Sequence, residues 1–250
     1  MRRAVLADLH LGQVPGDLER FAELLEALPK AGVGEVVLGG DVFRTLVGIP
    51  RFWSAAVTEG LAALRRLRQR GVRLVWVEGN REFFLHTRAM APYLDRFLPA
   101  YGFAAGGRRF LVEHGDLINR ADRWYFFWRA LSKSRWAYWW ARSLPQALAQ
   151  RIVVHTEQAL GKTNFAHRRH LPVEDLQQEA CRHFACGVDV VFWGHFHRFW
   201  SFRQGSQVAF ALPAWQDTGT VVFVEPDGTF SFQPEAGHFV DNGVAFCYQG

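Results

Sequence analysis

Short apolar runs alternate with stretches of helical spacing along most of the chain. The apolar runs predict strands at residues 4–7, 35–38, 72–77, 110–112 and 188–193. Between the first two runs, apolar residues keep helical spacing after Asp17, the predicted N-cap of a helix. A second helix is marked by Leu61, Leu64 and Leu67. Strands that alternate with helices are typical of an α/β sandwich around a central sheet.

The remainder of the pattern predicts a helical insertion and a terminal group of hairpins. Residues 118–185 have mostly helical spacing, with a break at Pro145. The tail has hairpin character at residues 207–212, 218–224 and 229–233, where Asp227-Gly228 predicts a type I′ turn. No internal repeat or clear linker divides the sequence, so we expect one domain over residues 1–250 that contains the insertion.

Composition indicates a folded chain of a reducing compartment. Of the 250 residues, 49% are hydrophobic and 21% are charged, which is enough apolar material for a sizeable core and excludes global disorder. Three cysteines, none in a CxxC pair, cannot form a disulfide framework. The first apolar run is interrupted at once by Asp8 and His10, so we expect neither a signal peptide nor a membrane span, and a cytoplasmic location.

Positive charge and aromatic residues are concentrated in the predicted insertion. The chain has a net charge of +5, yet residues 118–170 hold ten Lys and Arg against two acids, a charge of +8 that leaves −3 for the remainder. Nine aromatic residues lie within 124–140. Arginine interleaved with tryptophan suits an anionic, partly apolar partner, either a lipid surface or a nucleic acid. The alternative is a helical hairpin with buried aromatic residues and solvated arginines.

Five short polar motifs each follow an apolar run. They are DLH at 8–10, GD at 40–41, GNR at 79–81, HGD at 114–116 and GHFH at 194–197. In open α/β sheets, ligands bind beyond the carboxyl ends of the strands, so side chains at those ends converge on one site. Each motif is weak evidence alone, whereas five in this order and context indicate one catalytic site.

The residue types in these motifs suit two divalent metal ions. Imidazole and carboxylate ligands without thiolate favour Mn, Fe, Zn, Ni or Co. Asp8 and His10 are expected to alternate along an extended backbone and so to point the same way. His195 and His197 are expected to repeat that geometry. Asp41 is the candidate bridging carboxylate, which would hold the ions about 3.5–4 Å apart and let them polarise a phosphoryl group and activate water.

The order of these motifs resembles that of the calcineurin-like metallophosphoesterases. Within that superfamily, GNR followed by an acid and an aromatic residue, GDVF, GHFHR and the Ala-Trp pair at 214–215 are similar to the UDP-2,3-diacylglucosamine hydrolases of lipid A biosynthesis. The resemblance covers about residues 3–225. It implies a β-sandwich flanked by helices, with 118–185 as a helical lid. It also implies the hydrolysis of UDP-2,3-diacylglucosamine to UMP and 2,3-diacylglucosamine 1-phosphate.

The resemblance further implies which residues bind the ions and the substrate. Two divalent ions, usually Mn²⁺ in the family, would be held by Asp8, His10, Asp41 and His197, and by Asp41, Asn80, His114 and His195. The implied substrate contacts are Asn80, Arg81, Asp122, Asn164, His167 and His195, and the implied catalytic residues are Arg81, His195 and Asp41. The implied partners are the UDP-linked diacyl sugar and an anionic inner-membrane surface, with the protein peripheral on its cytoplasmic side and no nucleic acid bound.

Three positions depart from the family pattern and leave other substrates open. Arg44 stands where the family often has Glu, Leu160 where it commonly has Ser, and His167 where it has Lys. The alternative is a related dinuclear-metal phosphodiesterase that acts on another nucleotide or lipid phosphodiester. A nuclease of the same superfamily and a peripheral membrane module with an idle site are two further hypotheses, although intact ligands at every motif argue against an idle site.

Overall fold

Two β-sheets stacked face to face form the centre of the structure, and helices cover both outer faces. The computed structural model describes residues 1–120, 122–167, 171–233 and 247–248. The strands are β1 (Arg2–Leu6), β2 (Val33–Leu38), β3 (Leu46–Val47), β4 (Arg73–Val77), β5 (Glu82–Phe83), β6 (Arg96–Leu98), β7 (Ala100–Ala105), β8 (Arg108–Glu113), β9 (Val190–Trp193), β10 (Trp200–Gln204), β11 (Gln207–Ala211), β12 (Val221–Val224), β13 (Phe230–Gln233) and β14 (Cys247–Tyr248). The helices are α1 (Asp17–Lys30), α2 (Ala55–Gln69), α3 (Arg123–Ser132), α4 (Arg135–Ser143), α5 (Gln146–His167), α6 (Val173–Ala185) and α7 (Trp215–Thr218), and a 3₁₀ turn lies at Pro50–Phe52.

Parallel strands form the part of each sheet that leads to the polar motifs. The first sheet has the order β14-β13-β12-β1-β2-β4-β6, in which β1, β2, β4 and β6 are parallel. The second has the order β10-β11-β9-β8-β7, in which β8, β9 and β11 are parallel. A separate short pair joins β3 and β5. The motifs that follow β1, β2, β4, β8 and β9 therefore leave the carboxyl ends of parallel strands.

Apolar side chains fill the space between the sheets and beneath the helices. Valines of β1, β2 and β4 face valines and phenylalanines of β8, β9 and β11 across the sandwich. On the outer face of the first sheet, α1 and α2 pack with Phe21 and Leu64 around Trp76. On the outer face of the second sheet, α6 packs with Leu176 against Trp193. Burial of each such side chain contributes about 1.5–3 kcal/mol, so the strands that lead to the motifs are held from both faces.

The helices α3 to α6 connect β8 with β9, over the stretch for which the sequence predicts a helical insertion. α4 and α5 pack near the turn at Pro50–Phe52 in a cluster that includes Phe52, Phe84, Leu144 and Val153. α3 differs, because none of its side chains is fully buried. No helix among the residues described above is both long and apolar enough to cross a membrane.

The exposed faces of α3 and α4 are aromatic. The large hydrophobic side chains exposed on these helices are Trp124, Phe127, Trp128, Leu131, Trp136, Trp139 and Trp140. Arg123, Arg135 and Arg142 are exposed between them. The polar residues Tyr125, Arg129 and Lys133 of the same segment instead contact the body of the protein. This arrangement reverses that of an ordinary surface helix, which buries its apolar face. For α3, the interpretation with buried aromatic residues is therefore wrong, and of its two arginines Arg123 is exposed whereas Arg129 faces the body of the protein.

The structure confirms the predicted α/β sandwich and corrects two local predictions. Asp17 is the first residue of α1 and not its N-cap, because its carboxylate accepts backbone N–H bonds from the preceding loop at 12–14. The turn at Asp227-Gly228 is not of type I′, since that turn needs positive φ at both central residues and only Gly228 of the pair has it. Pro226 before Asp227 favours a type I turn instead.

Candidate dinuclear metal site

Hydrogen bonds join the loops that follow β1, β2 and β9. The backbone N–H of His195 donates to Oδ2 of Asp8 at 2.7 Å, which links the last motif to the first. The N–H of Asp8 donates to the carbonyl of Gly40 at 3.2 Å, and that of His10 to the carbonyl of Asp41 at 3.0 Å. The two sheets therefore contribute to a single site.

The loops after β2, β4 and β8 meet in the same place. The N–H of Arg81 donates to Oδ1 of Asp41 at 3.0 Å. Nε2 of His114 lies 2.9 Å from Oδ1 of Asn80 and 3.5 Å from Oδ1 of Asp41. Nδ1 of His114 is 3.0 Å from the carbonyl of Gly39, which can only accept, so Nδ1 is the protonated nitrogen in that bond. That bond orients the ring so that Nε2 points at the other polar groups.

A second group of donors consists of Asp8, His10 and His197. Nε2 of His10 lies 3.1 Å from Nε2 of His197, and the rings are stacked with centroids 4.9 Å apart. Nε2 of His197 is 3.6 Å from Oδ1 of Asp8. This Oδ1 is buried and has no hydrogen-bond partner among the described residues. A buried carboxylate oxygen without a donor is costly unless a cation faces it.

The candidate ligands share an uncommon backbone conformation. Left-handed φ values between 46° and 70° occur at Asp8, His10, Asp41, His195 and His197. The prediction that Asp8 and His10, and likewise His195 and His197, alternate along an extended backbone is therefore wrong, because β1 and β9 end before these motifs begin. Left-handed residues other than glycine cost roughly 1–2 kcal/mol each, and such strain collects at functional sites. The loops turn sharply so that both members of each pair still face the site.

The charges of the site are dominated by buried carboxylates. Burial raises the pKa of Asp8 to about 7, against the opposing effect of His114 and with a further contribution from Asp41. Burial by itself lowers the pKa of His114, but the neighbouring carboxylates, Asp41 first, outweigh burial and raise it to about 9. Close acidic groups in a dry environment thus disfavour their own ionisation, and positive charge nearby relieves the repulsion.

The donor set fits two divalent cations. One ligand atom from each of Asp8, His10 and His197 lies within 4.8 Å of the others, and the same holds for Asp8, Asp41 and His114. Oδ1 of Asp8 lacks a hydrogen-bond donor among the described residues, and Nε2 of His10 faces Nε2 of His197. A cation between these atoms would bind all three. Mixed carboxylate, amide and imidazole donors without thiolate are those of the borderline and hard divalent ions.

Arg81 and Glu82 complete the buried part of the site. Nε of Arg81 lies 3.2 Å from Oδ2 of Asp41, so the guanidinium is fixed beside the candidate bridging carboxylate. Glu82 was not among the predicted site residues. Its carboxylate accepts from the N–H of Val42 at 2.8 Å and from that of Gly79 at 2.7 Å, and burial raises its pKa to about 7. Glu82 therefore ties the loop after β2 to the loop after β4.

The residues predicted to contact the substrate differ in burial and in the part of the fold to which they belong. His195 is half-buried, with its ring centroid 5.2 Å from that of His114. Asp122 caps α3, because its carboxylate accepts from the N–H of Tyr125 at 2.9 Å. Asn164, His167 and Leu160 belong to α5, of which only the backbone is described at these positions.

A polar stripe on the insertion reaches the loops of the site. Tyr125, Arg129 and Lys133 follow one another at helical spacing and contact Asp116, Glu78 and the carbonyl of Gly79. This stripe was not among the features predicted from the sequence. The signal was present, because three polar residues four positions apart within an otherwise aromatic segment mark a separate helix face.

Comparisons with known proteins agree with the motif pattern. Residues 1–199 match the family described as calcineurin-like phosphoesterase. The chain is 29% identical over 245 residues to a UDP-2,3-diacylglucosamine hydrolase from Edwardsiella ictaluri, covering 91% of this chain and 90% of that protein. It is 28% identical over 244 residues to a hydrolase of the same name from Sodalis glossinidius, covering 93% and 99%. A solved dimetal phosphatase from Danio rerio has a similar fold, with a TM-score of 0.52, 17% identity and coverage of 93% and 95%.

Proposed function

The chain belongs to the calcineurin-like phosphoesterase family, and from that premise we propose that it hydrolyses UDP-2,3-diacylglucosamine to UMP and 2,3-diacylglucosamine 1-phosphate. The observation that carries the proposal is the pair of helices with exposed aromatic faces, α3 and α4, attached to a site of buried carboxylates and imidazoles. A phosphoesterase of small soluble substrates has no need of such an apolar surface. The names of two relatives that match most of the chain support the same substrate.

The proposed cofactors are two divalent metal ions, most simply Mn²⁺. Their ligands would be Asp8, His10, Asp41 and His197 for one ion, and Asp41, Asn80, His114 and His195 for the other. When bound, the ions would polarise the phosphoryl group and activate water for attack on the α-phosphorus. The choice of Mn²⁺ rests on the mixture of oxygen and nitrogen donors, which suits that ion and several of its neighbours.

The residues of the chain itself would bind and orient the phosphate. Arg81 is buried and held by Asp41, so its positive charge needs no rearrangement to face the negative charge that develops on phosphorus. His195 is half-buried, whereas His10 and His114 are buried, and in this proposal it would contact a phosphate oxygen. The hydrogen bond from His114 to Gly39 keeps the remaining nitrogen of that ring turned to the site.

The acyl chains of the substrate are proposed to lie against the insertion. Phe83 and Phe84 follow Arg81 closely in the chain and join the apolar cluster formed with α4 and α5. Apolar surface therefore begins within a few residues of the group proposed to face the phosphate. In this proposal residues 1–250 form one metallophosphoesterase domain, and residues 118–185 form its lid.

The exposed aromatic face is proposed to rest on an anionic membrane surface, on the cytoplasmic side of the inner membrane. Tryptophan is well suited to the interface between head groups and acyl chains, and arginine to anionic head groups. Arg142 places its guanidinium carbon 5.5 Å from the ring centroid of Trp139, so both features occur together. The substrate, whose acyl chains reside in a bilayer, would be collected at that surface.

Release of UMP tests the proposal most directly. Purified protein is incubated with UDP-2,3-diacylglucosamine in the presence of Mn²⁺, and in parallel with EDTA, and UMP is quantified. We expect UMP and the diacyl sugar 1-phosphate in equal amounts, only with metal. Parallel assays with Mg²⁺, Co²⁺ and Zn²⁺ identify the ion that supports the highest rate. Absence of UMP in every metal would contradict the assigned substrate.

The second candidate function is a dinuclear-metal phosphodiesterase for another nucleotide or lipid phosphodiester. It is favoured by the departures at Arg44, Leu160 and His167, which change side chains outside the metal ligands. Arg44 is connected to the site, since its carbonyl accepts from Nη1 of Arg81 at 3.4 Å. Metal-dependent turnover of bis(p-nitrophenyl) phosphate without UMP release would favour this candidate.

A further inference from the structure

A cluster of ion pairs joins the insertion to two loops of the metal site. Arg129 places Nε 2.8 Å from Oδ2 of Asp116 and Nη2 3.1 Å from Oε2 of Glu78. Lys133 places Nζ 3.1 Å from Oε1 of Glu78 and donates to the carbonyl of Gly79 at 2.6 Å. The hydroxyl of Tyr125 donates to Asp116.

The partners of this cluster border the candidate metal ligands. Asp116 follows His114 by two residues, and Glu78 precedes Asn80 by two residues. The carbonyl of Gly79 belongs to the peptide bond that leads directly into Asn80. A shift of either segment would therefore move an imidazole or an amide that we assign to a metal ion.

Polar contacts, more than apolar packing, attach α3 to the body of the protein. None of the side chains of α3 is fully buried, and its aromatic side chains include several that face solvent. The Lys133 side chain is by contrast only 11% exposed, and that of Asp116 3%. Charge pairs with this little solvent are screened weakly, and loss of one partner leaves a buried charge without compensation.

We propose that Arg129 and Lys133 are positioning residues for the metal site. By pairing with Asp116, Glu78 and the Gly79 carbonyl, they hold the loops that carry His114 and Asn80 in the geometry that binds metal. The helical insertion thereby acts on the site at which hydrolysis occurs, besides covering the substrate. The inference rests on the proposed function only in assigning metal ions to these two loops.

Metal binding by Lys133 variants tests this inference. Lys133→Met removes the ammonium group and keeps the apolar stem, and Lys30→Met makes the same change at the exposed end of α1. Free Mn²⁺ is measured by electron paramagnetic resonance during a titration of each protein, without substrate. We expect the affinity of Lys133→Met to fall about tenfold, as for other residues that orient ligands from outside the coordination sphere. Lys30→Met should match the wild type, and Lys133→Arg should recover most of the loss because it keeps the charge and its donors.

Equal Mn²⁺ affinity for Lys133→Met and Lys30→Met would overturn the inference and leave Lys133 with a purely structural role. If Lys133→Met does not fold, Glu78→Gln decides by the same titration, because it removes the charge of the shared partner at constant shape. A weaker affinity supports the inference, and a wild-type affinity overturns it. A wild-type protein that binds no divalent ion would instead contradict the proposed function, which distinguishes the two failures.

Discussion

Nε2 of His10 lies 3.1 Å from Nε2 of His197, although 187 residues separate the two in the chain. His10 follows β1 of the first sheet, and His197 follows β9 of the second. Two imidazole nitrogens at this distance repel unless a proton or a metal ion lies between them or on one of them. The carboxylate of Asp8, 3.6 Å from His197, adds the negative charge that favours a cation. The contact thus joins the two sheets at the point where the proposed chemistry occurs.

Replacement of the candidate bridging carboxylate should abolish metal binding and turnover together. Asp41→Asn keeps an oxygen that can accept from the N–H of Arg81, so the loop can retain its shape, but it removes the negative charge shared by both proposed ions. We expect kcat/KM to fall by at least about 100-fold and the Mn²⁺ content to fall with it. Metal content and hydrolysis of a phosphodiester are measured on the same samples.

The matched control is Asp217→Asn, which changes an exposed carboxylate on α7 in the same way. It should retain the metal content and the activity of the wild type. An Asp41→Asn protein with both properties unchanged would remove the two-metal assignment.

Removal of the Asp8 charge should stabilise the protein when no metal is present. The pKa of Asp8 is raised in the folded state, so its ionised form disfavours folding as the pH rises from about 4 to about 7. Asp8→Asn removes this penalty while its amide oxygen can still accept from the N–H of His195. With EDTA at about pH 8, we expect the free energy of unfolding to rise by on the order of 1 kcal/mol. Urea denaturation of the variant and the wild type measures the difference.

The same variant should lose the stabilisation that Mn²⁺ gives to the wild type, because binding to the folded state alone raises stability by mass action. The two effects have opposite signs, which a general loss of packing could not produce. An Asp8→Asn protein that is less stable than the wild type in EDTA would contradict the assignment of Asp8 as a strained, charged ligand. Asp217→Asn again serves as the control and should change neither quantity appreciably.

The pH dependence of stability should change when His183 is replaced. Burial lowers the pKa of His183, but its hydrogen bond to Glu113 at 3.0 Å and the charges of Glu113 and Glu179 outweigh burial and raise it overall. A histidine with a raised folded-state pKa contributes its stability below the unfolded pKa and loses it as the pH rises through the folded value. His183→Gln should therefore lower the free energy of unfolding at about pH 5.5 by about 1 kcal/mol more than at about pH 9.

Denaturation in EDTA at both pH values measures this difference without a contribution from metal binding. His155→Gln replaces an exposed histidine on α5 and supplies the matched control. A loss for His183→Gln that is the same at both pH values would show that the Glu113 contact does not depend on a charged imidazole.

The predictable part of the fold is the part whose sequence pattern is local. The strands at 4–7, 35–38 and 72–77 are mainly apolar runs that, apart from Glu35 and the exposed Arg73, bury apolar side chains on both faces, and the structure has β1, β2 and β4 there. The short strands β3 and β5 have only two residues each, and they pair because the loops that contain them are tied by Glu82. Such pairing is a tertiary effect and leaves no periodicity in the sequence.

The sequence could predict that the candidate ligands lie together, because each follows a strand and the carboxyl ends of these strands meet at one edge of the sandwich. Their backbone conformation could not be predicted, since left-handed φ at Asp8 and His195 accompanies hydrogen bonds to loops distant in the chain. The outward aromatic face of α3 was also undecided from the sequence. Its orientation follows from the charges of Glu78 and Asp116, which draw Arg129 and Lys133 inward.

Exposed and buried tryptophans should differ in what they stabilise. Trp136 is 85% exposed on α4, whereas Trp193 is fully buried beneath α6. Trp136→Ala should change the free energy of unfolding by less than about 0.5 kcal/mol, while Trp193→Ala should lower it by about 3–5 kcal/mol. Urea denaturation of both variants shows which of the two tryptophans contributes to the free energy of unfolding.

The combined variant Trp136→Ser, Trp139→Ser and Trp140→Ser should lose association with anionic vesicles, because it removes aromatic side chains that would enter the interface and leaves the arginines in place. Cosedimentation with vesicles of phosphatidylglycerol and phosphatidylcholine should show binding at least about tenfold weaker than that of the wild type. Val14→Ser with Val173→Ser removes exposed apolar side chains elsewhere and should bind as the wild type does. Equal binding of all three proteins would place the membrane contact outside α4. If charge alone drives binding, all three proteins should lose it when cosedimentation is repeated at high salt.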